Sequence, residues 1–176
     1  KTLTPPENAP SFVLQVGMEG AFPGDVRFKI IGAVVRSVTI EGTTYYWHEY
    51  LLYNPSIGFR WLVHSDNQWN FVEPVNPAEV ADSGIYAPGG YVTYNGTKYK
   101  IFQDAPAVVQ YVQGEFYWRV EQGETVRAID YVAAPMMLSQ EVTANEVNWS
   151  AGVYMTNADI EKAFGVSGLP KPWGVA

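Results

Sequence analysis

The sequence predicts an all-β protein: two tandem, related small antiparallel barrels or strongly bent sheets packed together, with one short C-terminal helix. Three observations lead there. Aromatic residues make up 15% of the 176-residue chain, with 12 Tyr and 6 Trp, and such side chains, like the many Val and Thr, suit half-buried pleated strands better than helices. Turn signals recur at Glu41-Gly42, Asp66-Asn67, Asn95-Gly96, Gln113-Gly114 and Gln122-Gly123, each between strand-forming runs. The chain also echoes itself. Arg27, Phe28, Lys29 and Ile30 align with Lys98, Tyr99, Lys100 and Ile101, and the same 71-residue offset carries Tyr46 and Trp47 onto Tyr117 and Trp118. Gly42 and Gly114 precede the two Tyr-Trp pairs, out of step by one residue. Turn glycines and strand aromatics at matched spacing are the mark of a duplicated unit.

Taken in order, residues 1–11 form a lead-in segment with three prolines and no periodicity. The first β module covers 12–77. Its long hairpin joins strands at 26–38 and 44–53 through Glu41-Gly42; Asn54, Pro55 and Ser56 interrupt it; strands at 58–64 and 68–72 follow around Asp66-Asn67. Residues 78–90, rich in Pro, Ala and Gly, are the junction. The second module, 91–155, opens with strands at 91–94 and 97–102 around Asn95-Gly96, whose two central positions need positive φ. Strands at 107–113, 116–121 and 125–132 come next. Ala134-Pro135 then breaks the series, and short strand-like pieces fall at 146–149 and 153–155. A helix is expected over 156–165, because Thr156 and Asp159 have capping-box spacing, Ile160 and Phe164 share a face, and Gly165 can end the helix. Residues 166–176 read as a Pro/Gly tail, and the chain is expected to be a piece of a longer protein.

Composition narrows the chemistry. A formal charge of −7 without a Lys/Arg cluster opposes nucleic-acid phosphate, so no nucleic-acid partner is expected. With no cysteine, disulfides and thiolate metal sites are excluded. No apolar run approaches the roughly 18 residues of a membrane helix, so no direct membrane insertion of this fragment is expected. His48, Glu49, His64 and Asp66 are the one plausible metal set, but strand alternation sends His48 and Glu49 to opposite faces, and no HxH or HExxH spacing appears. Neither a metal nor any other cofactor is expected.

The run Trp47, Glu49, Tyr50, Leu51, Leu52, Tyr53, then Gly58, Phe59, Arg60, Trp61, Leu62, then Trp69 resembles the DUF4178 family. In the second half Gly114, Glu115, Phe116, Tyr117 and Trp118, then Asp130, Tyr131 and Val132, then Leu138, Ser139, Glu141, Glu146, Trp149, Ser150, Gly152 and Tyr154 are similar to further blocks of that family. The resemblance spans about residues 17–164. It implies a bacterial domain, repeated in this chain, that forms the soluble part of larger proteins carrying zinc-ribbon segments and membrane helices. It also implies a link to envelope stress and polyamine synthesis, and a cytoplasmic location with tethering to the membrane through segments outside this sequence. The family brings no catalytic residues with it.

Acid-base work would fall to Glu49, Glu115, Asp130, Glu141 and Glu146, since carboxylates flanked by aromatics can have raised pKa values. No nucleophile-base pattern accompanies them, so more enzyme activity is argued against than for. Tyr45 and Trp47 should share one strand face, with Tyr46 on the other, so one set of rings packs the core while the other is free to line a groove. The candidate ligand-binding residues are therefore Trp47, Glu49, Trp61, Glu115, Trp118, Glu141, Glu146 and Trp149; none is assigned a catalytic role. The expected function is a non-enzymatic recognition or scaffold module for an unknown protein or small-molecule partner. Two alternatives stand beside it: a small-molecule hydrolase using clustered glutamates, and a polyamine-binding module.

Overall fold

The computed structural model describes residues 4–82, 90–116 and 120–172. A short strand β1 (Glu19–Phe22) turns into β2 (Val26–Ile40), which folds back on β3 (Thr43–Asn54). Glu41 and Gly42 at that turn have φ of 51° and 81°, the left-handed twist that a two-residue hairpin requires. β4 (Gly58–Ser65) and β5 (Gln68–Val75) are joined in the same way by Asp66 and Asn67. A single 3-10 turn at Pro77–Glu79 leads to β6 (Val80–Asp82). The second half runs through β7 (Tyr91–Tyr94), β8 (Thr97–Gly114), β9 (Thr125–Ala133), β10 (Met136–Val142) and β11 (Val147–Met155), then α1 (Asn157–Phe164). The helix is built as expected, with a full capping box between Thr156 and Asp159 and a left-handed Gly165 at its end.

Every strand pair is antiparallel, and the strands form one sheet instead of two separate barrels. β2 meets β8 from Gly32 opposite Gly114 to Val38 opposite Ala107, and β5 meets β11 from Trp69 opposite Met155 to Val75 opposite Trp149. The order β2-β3-β4-β5-β11-β10-β9-β8 therefore closes on itself, while β1 extends the sheet beside the start of β2 and β7-β6 beside the start of β8. Four strands from either half would leave two open edges of unpaired backbone groups. Joining the halves through β2–β8 and β5–β11 removes all four edges at once.

Several strand boundaries differ from expectation. The pieces at 97–102 and 107–113 are one strand, β8, that runs on through Pro106; the proline falls just before pairing with β2 begins at Ala107. β10 lies where the series was read as broken, because Ala134-Pro135 is only a two-residue link from Ala133 to its partner Met136. The pieces at 146–149 and 153–155 are joined as β11. The expected strand at 116–121 is not formed at Phe116, Val120 or Glu121, and residues 117–119 lie outside the described residues, as does most of the 78–90 junction.

The outer face of the ring carries two apolar clusters. In the first half Phe28, Ile30, Tyr50, Leu52, Leu62 and Trp69 pack beneath the N-terminal segment and α1, which contribute fully buried Leu14 and Ile160. The lead-in is thus a strap: the Tyr50 hydroxyl accepts from the Val13 and Leu14 amides at 3.0 and 3.3 Å, and His48 Nε2 donates to the Pro10 carbonyl at 2.8 Å. Gly20 lets the helix approach, since a Cβ there would come within 2.7 Å of the Phe164 ring. In the second half Val75, Val92, Tyr99, Ile129, Tyr131, Leu138 and Trp149 form the other cluster, against β6 and β7. With one face under these covers and the other inside the ring, β2 is buried without a break from Gly32 to Val38.

Candidate functional site

Side chains that point into the ring are those out of phase with the outer clusters. On β2 they are Val34, Arg36 and Val38; on β3, Trp47, Glu49 and Leu51, which stand opposite Arg36, Val34 and Gly32. Trp61 on β4 faces Leu51, and Asp130 on β9 faces Ser139 on β10, two residues from Glu141. β2 and β10 are not neighbours in the ring, so a contact between Arg36 and Glu141 crosses the interior. That contact exists.

Arg36 Nη1 donates to Glu141 Oε1 at 2.5 Å and to Glu49 Oε2 at 3.2 Å, while the Trp47 indole N–H donates to the same Glu49 oxygen at 2.7 Å. The guanidinium carbon also lies 5.8 Å from the centre of the Trp47 ring, within cation–π range. Deeper along β9 and β10, Ser139 Oγ donates to Asp130 Oδ1 at 2.7 Å. The side chain of Arg36 is 9% exposed, Glu49 15% and Glu141 40%, so the cluster is reached from solvent past Glu141. Tyr45, on the face of Trp47 and nearer the β2–β3 turn, is exposed. Farther along the interior Phe116 stacks on Trp61 at 6.4 Å and fills the space a side chain at Gly32 would need.

Among the described residues three carboxylates thus share the interior with one cation. Burial works against the charge on Arg36, but Glu49 and Glu141 outweigh it and hold the guanidinium more firmly protonated than usual. Burial raises the pKa of Glu49; Arg36 opposes that rise and the charge of Glu141 adds to it. Asp130 is raised in the same way, by burial first, with Ser139 and Arg36 opposing and Glu141 reinforcing. Arg36 Nε is buried without a hydrogen-bond partner among the described residues. Glu141 Oε2 and Asp130 Oδ2 accept no hydrogen bond among the described residues.

Of the residues singled out from sequence, Trp47, Glu49 and Glu141 come together. Trp61 shares the interior but packs on Phe116. Trp149 lies on the outer face against Tyr131, at 5.7 Å, and belongs to the second cluster. Glu115 is exposed after the end of β8, where its amide donates to the Ile31 carbonyl at 2.7 Å. Glu146 is exposed in the β10–β11 turn, its carboxylate accepting from Asn148 at 3.3 Å. Trp118 lies outside the described residues. Arg36 was not among the candidates, although an arginine within the run Ala33-Val34-Val35-Arg36-Ser37-Val38 is the signal for a buried charge in need of partners. His48 and His64 are direct cross-strand partners on the outer face, away from Glu49, and His64 stacks on Trp69 at 3.9 Å. Among the described residues no three His, Asp or Glu side chains are grouped closely enough to hold a metal ion.

The model of the domain of unknown function DUF4178 matches residues 16–157, most of the chain. The chain belongs to the DUF4178 family. No curated protein and no solved structure matches it. In this DUF4178 domain the match takes in the whole closed ring, from β1 through β11, and every member of the interior cluster.

Proposed function

We propose that this domain is a non-enzymatic recognition module whose binding site is the barrel mouth, and that its ligand is a small organic cation. The observation that carries this is the charge count inside the ring among the described residues: Glu49, Glu141 and Asp130 against Arg36. Two carboxylate oxygens are left for a ligand's N–H donors among the described residues, and Trp47 brings a ring to the same cluster. The carboxylates are arranged around an arginine instead of around one point, which suits an extended organic cation better than a metal ion. A polyamine fits that description. The test is titration calorimetry with spermidine and putrescine, on the wild type and on Glu141→Gln. Saturable binding that weakens with salt and with the substitution supports the reading; no heat from either amine removes the polyamine form, and no response to any small cation removes the site.

Hydrolysis is the second reading, favoured by the meeting of Glu49 and Glu141. It is weaker because Arg36 stands between the two carboxylates, where a substrate bond or an attacking water would have to lie.

The duplication is also proposed. In its support, β1–β5 and β7–β11 are meanders of the same order, and the aligned Phe28 and Tyr99 are both buried, opposite Gly20 of β1 and Val92 of β7. The Tyr-Trp pairs give no comparison, since Trp47 is within β3 while Tyr117 and Trp118 lie outside the described residues. Family membership supports reading the chain as the recognition part of a larger bacterial protein working beside the membrane in envelope stress. Fractionation of the tagged full-length protein tests that; a parent found wholly in the soluble fraction would overturn it.

A further inference from the structure

On the outer face of the ring, away from the interior cluster, we infer that the N-terminal strap is an acid-released latch: it lies closed over the cross-strand pair His48 and His64 while both are neutral, and it lifts between Pro10 and Leu14 when the pair takes up protons. His48 Nε2 donates to the Pro10 carbonyl, the Tyr50 hydroxyl accepts from the Val13 and Leu14 amides, and the Phe12 ring lies 4.7 Å from His48 and 5.8 Å from Tyr50. A recess of about 240 Å3, lined by Pro10, Phe12, Gln15, Val35, Tyr111 and Gln113, separates part of the strap from β2 and β8. Farther on, Gly17 and Met18 exchange backbone bonds with Ile30, and Gly17, with a φ of 99°, is the pivot. The pair beneath the strap is a costly place for a proton. Its rings are 6.3 Å apart and buried, His64 stacks on Trp69, and His64 Nε2 has no hydrogen-bond partner among the described residues. Around the pair stand Tyr50 from β3, Trp69 from β5 with Asn157 of α1 bonded to its indole, Phe12 from the strap and, beyond Phe12, Tyr111 from β8. Burial pushes Tyr50 up to about 12, so it stays neutral, and among the described residues no carboxylate bonds to either imidazole. A first proton therefore gains no opposite charge, and a second meets the first. Burial holds both histidines below their usual value, against the Pro10 bond at His48 and with the help of His48 at His64, which is pushed down to about 4. Neutral histidines thus favour the closed strap in full above about pH 6.5, and that preference is lost as pH falls towards 4.

The test is amide hydrogen exchange on the whole chain at pH 7 and pH 5, with rates converted to opening constants for Val13 and Leu14 and for the amides of the β2–β8 seam. His64 alone, at about 4 with the strap closed and near 6.5 with it open, allows the opening constant to rise roughly twentyfold between the two pH values. The expected result is a rise of about fivefold or more at Val13 and Leu14 with no matching rise at the seam. A smaller rise, or one that the seam shares in full, overturns the latch, because the acid response is then either missing or global. The double variant His48→Gln with His64→Phe keeps a donor for Pro10 and a ring on Trp69 but takes up no proton. Its strap should open equally at both pH values, and a wild-type response in it overturns the inference. Should that variant not fold, an NMR titration of the wild-type histidines decides: Val13 and Leu14 amide signals that move with the imidazole signals support the latch, and imidazoles that titrate while those amides stay put overturn it.

Discussion

Replacing Arg36 by Met exposes how the interior charges are balanced. Met keeps the length of the apolar stem and removes the cation paired with Glu49, whose carboxylate has little access to water. Glu49 can escape by taking up a proton, which sets a ceiling on the cost. From the ordinary value of 4.5, holding it neutral at pH 7 costs about 3.5 kcal/mol, at roughly 1.4 kcal/mol per pH unit. At pH 5 the same cost is about 0.7 kcal/mol. Glu141 is open enough to solvent to hydrate itself and adds little. The Arg36→Met variant should therefore lose about 2–3.5 kcal/mol at pH 7 and regain most of it at pH 5. Adding Glu49→Gln, which keeps an acceptor for the Trp47 indole, should restore stability to within about 1 kcal/mol of wild type at both pH values. Urea unfolding followed by tryptophan fluorescence measures all three. A loss below about 1 kcal/mol at pH 7, or an equal loss at pH 5 and 7, would refute the claim that Arg36 neutralises a buried Glu49.

Other perturbations test the rest of the molecule. Burial, with the neighbouring His48, pushes the His64 pKa down to about 4, so its neutral form is favoured by folding; that contribution is complete above pH 6.5 and is lost as pH falls towards 4, by at most about 3 kcal/mol. Raised Glu49 and Asp130 act in the opposite sense on acidification, so the reading is the difference between wild type and His64→Phe, which should shrink from pH 7 to pH 4; a constant difference would contradict it. Leu14→Ala should cost about 2–5 kcal/mol in urea unfolding, because the side chain is fully buried where the strap meets the first cluster, and a cost under 1 kcal/mol would mean the strap is not docked. Gly114→Ala should cost more than about 2 kcal/mol, since φ is 89° and a Cβ would collide with the Ile31 carbonyl at the β2–β8 seam; wild-type stability in thermal unfolding would show that the seam is looser than described.

The class of fold was readable because its signals are local. Glu41-Gly42, Asp66-Asn67 and Asn95-Gly96 each demand a tight left-handed turn and each has one, and Thr156 with Asp159 and Gly165 frames the helix from within. Closure was not readable in that way. Whether β2 bonds to β8 or each half curls on itself depends on backbone groups far apart in the chain, and every residue supplies the same N–H and C=O. The alternation of β3 did place Tyr45, Trp47 and Glu49 on one face and Tyr50 on the other. It could not say which face lies inside, so Trp149, on the outer cluster, was grouped with Trp47 on the inner one. Glu141 met Glu49 only through Arg36, a residue whose importance comes from being buried in a both-faces-covered strand.

The central claim is that the two halves share one ring with charges inside it. Backbone NOEs between β2 and β8 measure this most directly. The account predicts cross-strand contacts pairing Gly32 with Gly114, Val34 with Val112 and Val38 with Ala107, in the same spectra that show β5 against β11. Two independent sets of contacts, with none linking β2 to β8, would contradict it.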